Sequence, residues 1–329
     1  MGSEWDTGTA NAIYQNLEYM ESYNPDYVLV LSGDHIYKMD YQLMLDFHKA
    51  QKAGITIAVR PASVEEAGGF GIVVTDENKK ITDFEGPTQA AENNLAGMGI
   101  YIFSWKILKE VLEKLAGQSE LDLRRHVIPR CQEMNVPMYA YEFHSYWNDV
   151  GTLNSYWQAN MELIDVVPEF NFYEEYWKIY TKNEVRSPQY LAKGSVVEKS
   201  IIGEGSDIYG RIYNSVIGCG VTVGKDTVVR NSIIMNHVKL GDGCEIDKAV
   251  IAENAIVGKS VKMGTLLIER ENETAPQIYN HGIVTVGEKS VIPDGVTIGK
   301  NSVISGKTEI SDYENSTLLS GRTLIRAGE

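Results

Sequence analysis

Four consecutive apolar residues, Val28-Leu-Val-Leu31, run into Ser32-Gly33 and then Asp34-His35. A short unbroken apolar run predicts a parallel strand buried on both faces. Asp34 then falls at the carboxyl end of that strand, where open α/β sheets bind their ligands. It serves there either as a ligand for a cation or polar substrate, or as a cap for the helix that begins near Asp40. Before this run, Ala12, Ile13, Leu17, Met20 and Tyr23 recur at helical spacing from Thr9 to Tyr23, and Asn24-Pro25 closes the segment. After it, a helical pattern from Met44 to Gly54 returns through β-branched Ile55–Arg60, which completes a βαβ unit. Gly71–Thr75 and Lys80–Phe84 flank the polar turn Asp76-Glu-Asn-Lys and read as a hairpin. Met98–Phe103 is a further strand, and Trp105–Leu115 an amphipathic helix stopped by Gly117. Residues 1–165 therefore read as an α/β domain of Rossmann-like type with a mixed sheet.

The pattern changes after a connector at 166–190 that is rich in Tyr, Trp and charge. Asn214-Ser-Val-Ile, Asn231-Ser-Ile-Ile and Lys248-Ala-Val-Ile recur every 17 residues. Apolar positions step by six, six and five through Ile217, Val223, Val229, Ile234, Leu240, Ile246, Ile251 and Val257. Three short strands per turn at a hexapeptide period predict a left-handed parallel β-helix over 191–329. The period lapses between Gly264 and Gly282 and resumes at Val286, Ile292, Ile298 and Ile304, so 264–282 is expected to protrude as a loop.

Composition narrows the function. The net charge of -15 over 329 residues and a pI near 4.9 disfavour a nucleic-acid or anionic-membrane partner, because little basic surface is left to neutralise phosphates. No run of about 18 apolar residues and no signal-peptide-like start occurs. Cys131, Cys219 and Cys244 are odd in number and far apart, which suggests neither a disulfide framework nor a Cys-x-x-Cys zinc site and fits a reducing cytoplasm. The six histidines show no zinc-type clustering.

Ser32-Gly-Asp-His-Ile-Tyr-Lys-Met-Asp-Tyr41 resembles the metal-site segment of the glucose-1-phosphate adenylyltransferase (ADP-glucose pyrophosphorylase) family. Other blocks agree in order: Gly8-Thr-Ala-Asn-Ala-Ile-Tyr-Gln-Asn16, Phe70-Gly-Ile72, Met98-Gly-Ile-Tyr-Ile-Phe103, Tyr146-Trp-Asn-Asp-Val-Gly-Thr152 and the hexapeptide region. The resemblance implies a nucleotidyltransferase that makes ADP-glucose and pyrophosphate from ATP and glucose 1-phosphate for glycogen or starch. It implies Mg²⁺ held by Asp34 and Asp149, with Asp34 catalytic. It also implies substrate contacts at Gly8, Thr9, Ala10, Gly33, Gly71 and Asp149. The open ends and faces of a solenoid expose unpaired strands that need covering, so a homo- or hetero-oligomer is expected. Taken from the residues alone, Asp149 is equally a turn acid before Gly151, Thr9 a helix cap, and Gln15 a solvated position.

The departures bear on activity. The family's glycine-rich triphosphate loop, which precedes the Gly-Thr-Ala segment, is absent, and Glu85-Gly86-Pro87 stands where the family has Glu-Lys-Pro. Gly97 replaces a serine. Leu121-Asp-Leu-Arg-Arg-His126 replaces His-Asp-Phe-Gly-Lys-Asp, with Arg124 and Arg125 read as a solvated helix face or as substitutes for the lost phosphate contact. The chain is accordingly expected to make little ADP-glucose by itself. Two other functions remain compatible with the solenoid: a non-catalytic regulatory subunit, and a hexapeptide acyltransferase using His237 or His281.

Overall fold

A computed structural model describes residues 8–61, 71–85, 95–118, 120–181 and 185–326. The chain divides into two compact units, one of residues 1–33 and 37–145 and the other of residues 34–36 and 146–329.

The first unit opens on α1 (Thr9–Gln15) and α2 (Leu17–Glu21) and continues with β1 (Tyr27–Val30). After β2 (His35–Tyr37) come α3 (Tyr41–Ala50), β3 (Ile55–Pro61), β4 (Ile72–Thr75), β5 (Ile81–Glu85), β6 (Leu95–Ser104), the helix Trp105–Lys114, and β7 (Met138–Glu142). The strands form one mixed sheet in the order β5-β4-β6-β3-β7, with β1 also paired to β6. β6 is its axis. On one side it meets β3, with Ile55 opposite Phe103, and on the other it meets β4 and β1 in succession. β1 and β3 are both antiparallel to β6 and hence parallel to each other, so the crossover through α3 skips one strand.

The expected burial of Val28–Leu31 on both faces is corrected. β1 pairs antiparallel with β6, and among the described residues it has no second neighbour, which leaves Leu29 38% and Leu31 42% exposed. An apolar run reports affinity for a sheet, but neither strand direction nor the presence of a second neighbour is written in it. The single helix expected from Thr9 to Tyr23 is two helices broken at Asn16, whose side-chain amide donates back to the Ala12 carbonyl. The cap of α3 is Asp40, which accepts from the Gln42 N–H at 2.9 Å, so Asp34 is not spent on capping.

Under the sheet, His48 of α3 is 1% exposed, with Nδ1 2.8 Å from Thr56 Oγ1 and Nε2 3.2 Å from Ser104 Oγ. Burial disfavours the imidazolium and holds its pKa down at about 4. Between that value and the ordinary 6.5, the unfolded chain binds a proton that the folded one refuses. Stability is therefore fully present above pH 6.5 and falls as pH drops toward 4, by up to about 3 kcal/mol. His48→Gln should flatten this part of the profile in urea titrations compared with the parent; equal slopes for the two proteins would refute it.

In the second unit the helix Leu153–Glu162 leads to a parallel solenoid whose described strands form sheets of seven, seven and six strands. Pairing advances 17 residues per coil, from Val216 to Ile233 to Val250, and then jumps 35 to Thr285. Every inward position read from the sequence, Ile217 to Val257 and Val286 to Ile304, is buried in one continuous core. Buried hydroxyls run along a corner: Ser215 accepts from Ser232 N–H and Ser232 from Ala249 N–H, so each coil satisfies the next one's amide. The helix Leu153–Glu162 covers an outer face, packing Leu153, Tyr156 and Trp157 on Ile233 and Val250, and Trp157 Nε1 donates to the Asn231 carbonyl.

The insertion at 264–282 does not simply protrude. Leu267 and Ile268 are exposed, but Asn272 is buried, donates to the Asn301 carbonyl at 2.9 Å and accepts from the amides of Thr274 and Ala275. The Glu273 amide donates to the Gly321 carbonyl. The inserted segment thus docks on later coils.

Candidate active site

Asp34 and Asp149 meet on a two-stranded ribbon in the second unit, in which the start of β2 lies beside β8 (Trp147–Asp149). The Val150 amide donates to the Asp34 carbonyl at 2.9 Å, which fixes the height of one strand against the other. Side chains alternate across a strand, so Trp147 and Asp149 share a face, as do Tyr146 and Val150 on the opposite one. That opposite face, with Ile36, Tyr156, Leu163 and Phe170, closes an apolar cavity of about 210 Å³. The ribbon is thereby anchored from behind while its acids face outward.

One ligand atom each from Asp34, His35 and Asp149 lies within 4.8 Å of the others. His35 Nε2 is 3.6 Å from Asp34 Oδ1; the Asp34 side chain is 58% exposed and that of His35 only 5%. Asp149 Oδ1 accepts from the Gly151 N–H at 2.7 Å, as a turn acid does, and the turn aims the carboxylate at Asp34. The turn-acid reading of Asp149 therefore holds, and the turn sets the carboxylate beside Asp34. A Cβ on Gly151 would sit 2.9 Å from Asp149 Oδ1 and 3.0 Å from Asp34 Oδ2. The missing side chain keeps the space between the two carboxylates open. Gly151→Ala is expected to push the carboxylates aside without unfolding the chain, since the clashing atoms are side-chain ends, and to weaken divalent-cation binding about tenfold. Calorimetric titration with Mn²⁺ checks this, and an unchanged affinity would contradict it.

The two carboxylates suit Mg²⁺, which is hard, takes one or two carboxylates and leaves its remaining positions to water and substrate phosphates. The exposure of Asp34 leaves room for those ligands.

Gly8, Thr9, Ala10, Gly33 and Gly71 lie in the first unit. Gly8 has φ +105°, and a Cβ there would stand 2.5 Å from the Leu121 carbonyl oxygen, so the chain approaches Leu121 as only glycine permits. The Ala10 and Asn11 amides both donate to that oxygen. Thr9 does not cap its helix: its hydroxyl donates to Asp122 Oδ2 at 2.9 Å and accepts from the Leu123 N–H. The small residues of Gly8-Thr-Ala thus have a structural cause within the chain. Gln15 is exposed, as its solvated reading requires. Gly33 is exposed beside Asp34, with nothing within 4 Å of a would-be Cβ. Gly71 has φ +79°, and a Cβ there would touch Phe84 and Arg124 Cδ.

Leu121–Arg124 therefore connects the Gly8 and Gly71 segments, a role the sequence did not disclose. Asp122 is its centre. Burial pushes its carboxyl up, but hydrogen bonds from the Arg125 and Arg124 amides and the Thr9 hydroxyl outweigh it and hold the group below the usual range. Nearby Tyr101 is pushed up to about 12 by burial and by the charge of Asp122, with Arg124 acting in opposition. The solvated helix face is corrected for Arg124: Leu123–Val127 is a π-helical turn, and Arg124 is half-buried with its stem against Gly71. Arg125 is exposed, 3.7 Å from Glu120. Residues 62–70 and 86–94, with Phe70, Gly86 and Pro87, lie outside the described residues.

Comparison with known proteins decides the family. Residues 2–166 match the nucleotidyl transferase family model, and 188–286 match one described as GlmU-like, C-terminal hexapeptide. The chain is 58% identical over 327 residues to the glucose-1-phosphate adenylyltransferase of Lachnospira eligens, covering 99% of this chain and 77% of the relative. It is 44% identical to that of Acetivibrio thermocellus over 99% and 77%, and 43% identical to that of Thermotoga maritima over 98% and 77%. The chain belongs to the glucose-1-phosphate adenylyltransferase family. It is a nucleotidyltransferase domain followed by a hexapeptide-repeat solenoid, and the acyltransferase alternative falls away. His237, one of that alternative's candidates, has Nε2 3.1 Å from Arg186 Nη2 at a corner of the solenoid. No helix among the described residues is long and apolar enough to cross a membrane.

Proposed function

We propose that the protein transfers the adenylyl group of ATP to glucose 1-phosphate, with Asp34 and Asp149 holding the Mg²⁺ that the reaction requires. The observation that carries this is the convergence of the two carboxylates about the space that Gly151 leaves open. When bound, the ion neutralises phosphate charge and aligns the reacting groups. The protein's own contribution is positional. The β2–β8 pairing sets the two acids, the Gly151 amide orients Asp149, and the exposure of Asp34 admits phosphate oxygens.

On the sugar-phosphate side, Gly86 offers no charge where the family has lysine, so turnover by the purified chain is expected to be weak. Asp122, Thr9 and Gly71 are proposed to shape the substrate surface of the first unit, with Asp122 kept ionised by its hydrogen bonds. The acidic surface favours small-molecule substrates over nucleic acid or anionic membrane, and a cytoplasmic site of action follows from the reaction. Exposed apolar residues on the solenoid, including Tyr190, Leu191 and Ile325, support assembly with further copies or a related subunit. The test is ADP-glucose formation from ATP and labelled glucose 1-phosphate with Mg²⁺. Labelled ADP-glucose, in excess over the product made with UTP, is expected; transfer from UTP in preference would overturn the assignment of ATP.

A further inference from the structure

The carboxylate pair accounts for two of the three groups that converge on the ribbon. His35 is the third, and neither the motif nor the family match gives it a role. Its Nε2 is 3.6 Å from Asp34 Oδ1, and one of its ring nitrogens belongs to the cluster of ligand atoms lying within 4.8 Å of one another. For an octahedral ion with bonds of ~2.1 Å, ligand atoms stand about 3 Å apart when adjacent and about 4.2 Å apart when opposite. The 4.8 Å limit on the three ligand atoms is close to that spread. The ring is 5% exposed and held edge-on by Trp147, at 5.1 Å between centroids and 79° between planes. A buried, braced imidazole next to two carboxylates is poor at serving bulk water and well placed to serve an ion.

We propose that His35 is a third protein ligand of this site and that it tunes the site toward divalent ions that accept nitrogen, Mn²⁺ and Co²⁺ above Mg²⁺. Carboxylates alone discriminate little between Mg²⁺ and Mn²⁺. An imidazole does discriminate, because Mg²⁺ prefers oxygen while affinity for nitrogen-containing sites rises along the first transition row. With one nitrogen and two oxygens supplied by His35, Asp34 and Asp149, a bound ion would keep positions for water and phosphate oxygens. The structural alternative is that His35 only packs on Trp147, in which case its nitrogen never meets the ion.

The proposal rests on the two-carboxylate site, and the experiment separates the two. Mn²⁺ is added to the intact protein at less than one equivalent, and its electron spin-echo envelope modulation is recorded for the parent, His35→Gln and His35→Phe. Phenylalanine keeps an aromatic ring against Trp147 and removes the nitrogen, so it guards against a packing effect. Imidazole ¹⁴N modulation is expected in the parent and in neither variant. Mn²⁺ affinity should fall about tenfold or more in both variants, and Mg²⁺ affinity, measured by competition, less than threefold. Mn²⁺ that binds without nitrogen modulation, or with modulation that persists in both variants, overturns the role of His35 and leaves the carboxylates standing. Failure of the parent to bind Mn²⁺ at all overturns both.

Discussion

Asp149→Asn should cost the protein its divalent-cation site, with Mn²⁺ affinity falling about a hundredfold or more and ADP-glucose formation falling at least as far. Magnesium-type sites built on only one or two carboxylates have no reserve, and removing one charge removes half of the protein's electrostatic hold. Asparagine keeps an oxygen at the position that accepts the Gly151 N–H, so the turn should survive. It also removes one of two like charges whose oxygens lie within 4.8 Å of each other, which relieves repulsion in the metal-free fold. Thermal stability is therefore expected to hold or rise slightly while binding and activity are lost. A variant that keeps its Mn²⁺ affinity would place the ion elsewhere; one that melts early would reveal a structural role for the carboxylate.

The largest stability effect is expected inside the solenoid. Ile251 is fully buried, paired in register with Ile234 of the preceding coil and Val286 of the following one, across the jump made by the insertion. Ile251→Ala removes three carbons from a stack whose coils touch only their neighbours, and the cavity cannot be filled from the side. A loss of about 2–5 kcal/mol is expected, read as a lower urea midpoint for the solenoid transition. A loss below about 1 kcal/mol would mean that the coils on either side of the insertion are not one cooperative stack.

Outside its insertion the solenoid was legible because its period carries both facts that a fold needs, whereas the docking of 264–282 on later coils follows no period. A residue's place in the hexapeptide says that it points inward, and the 17-residue spacing names its partner in the next coil. Ile217, Ile234 and Ile251 illustrate this, since each is buried on the next. The α/β sheet was less legible. Val28–Leu31 advertised burial but not its antiparallel partner β6, which lies some seventy residues downstream. Nor did the helix-spaced residues from Thr9 to Tyr23 disclose the break at Asn16.

At the site, Asp34 and Asp149 could be named from their motifs, whereas their common location depends on a ribbon pairing that local pattern does not encode. The role of Asp122 was hidden for the same reason. Its partner Thr9 is 113 residues away, and only the fold brings a hydroxyl to that carboxylate. Glycine was the most ambiguous residue type. Gly8 and Gly151 look alike in sequence, but the first admits the Leu121 backbone and the second keeps a space between two acids.

The most direct test of the account is a crystal of the protein grown with Mn²⁺ and measured for anomalous scattering. It predicts one strong peak between Asp34 and Asp149, about 2.2 Å from an oxygen of each. A peak bound to only one of the two carboxylates, or none at the ribbon with Mn²⁺ present at saturating concentration, would contradict it.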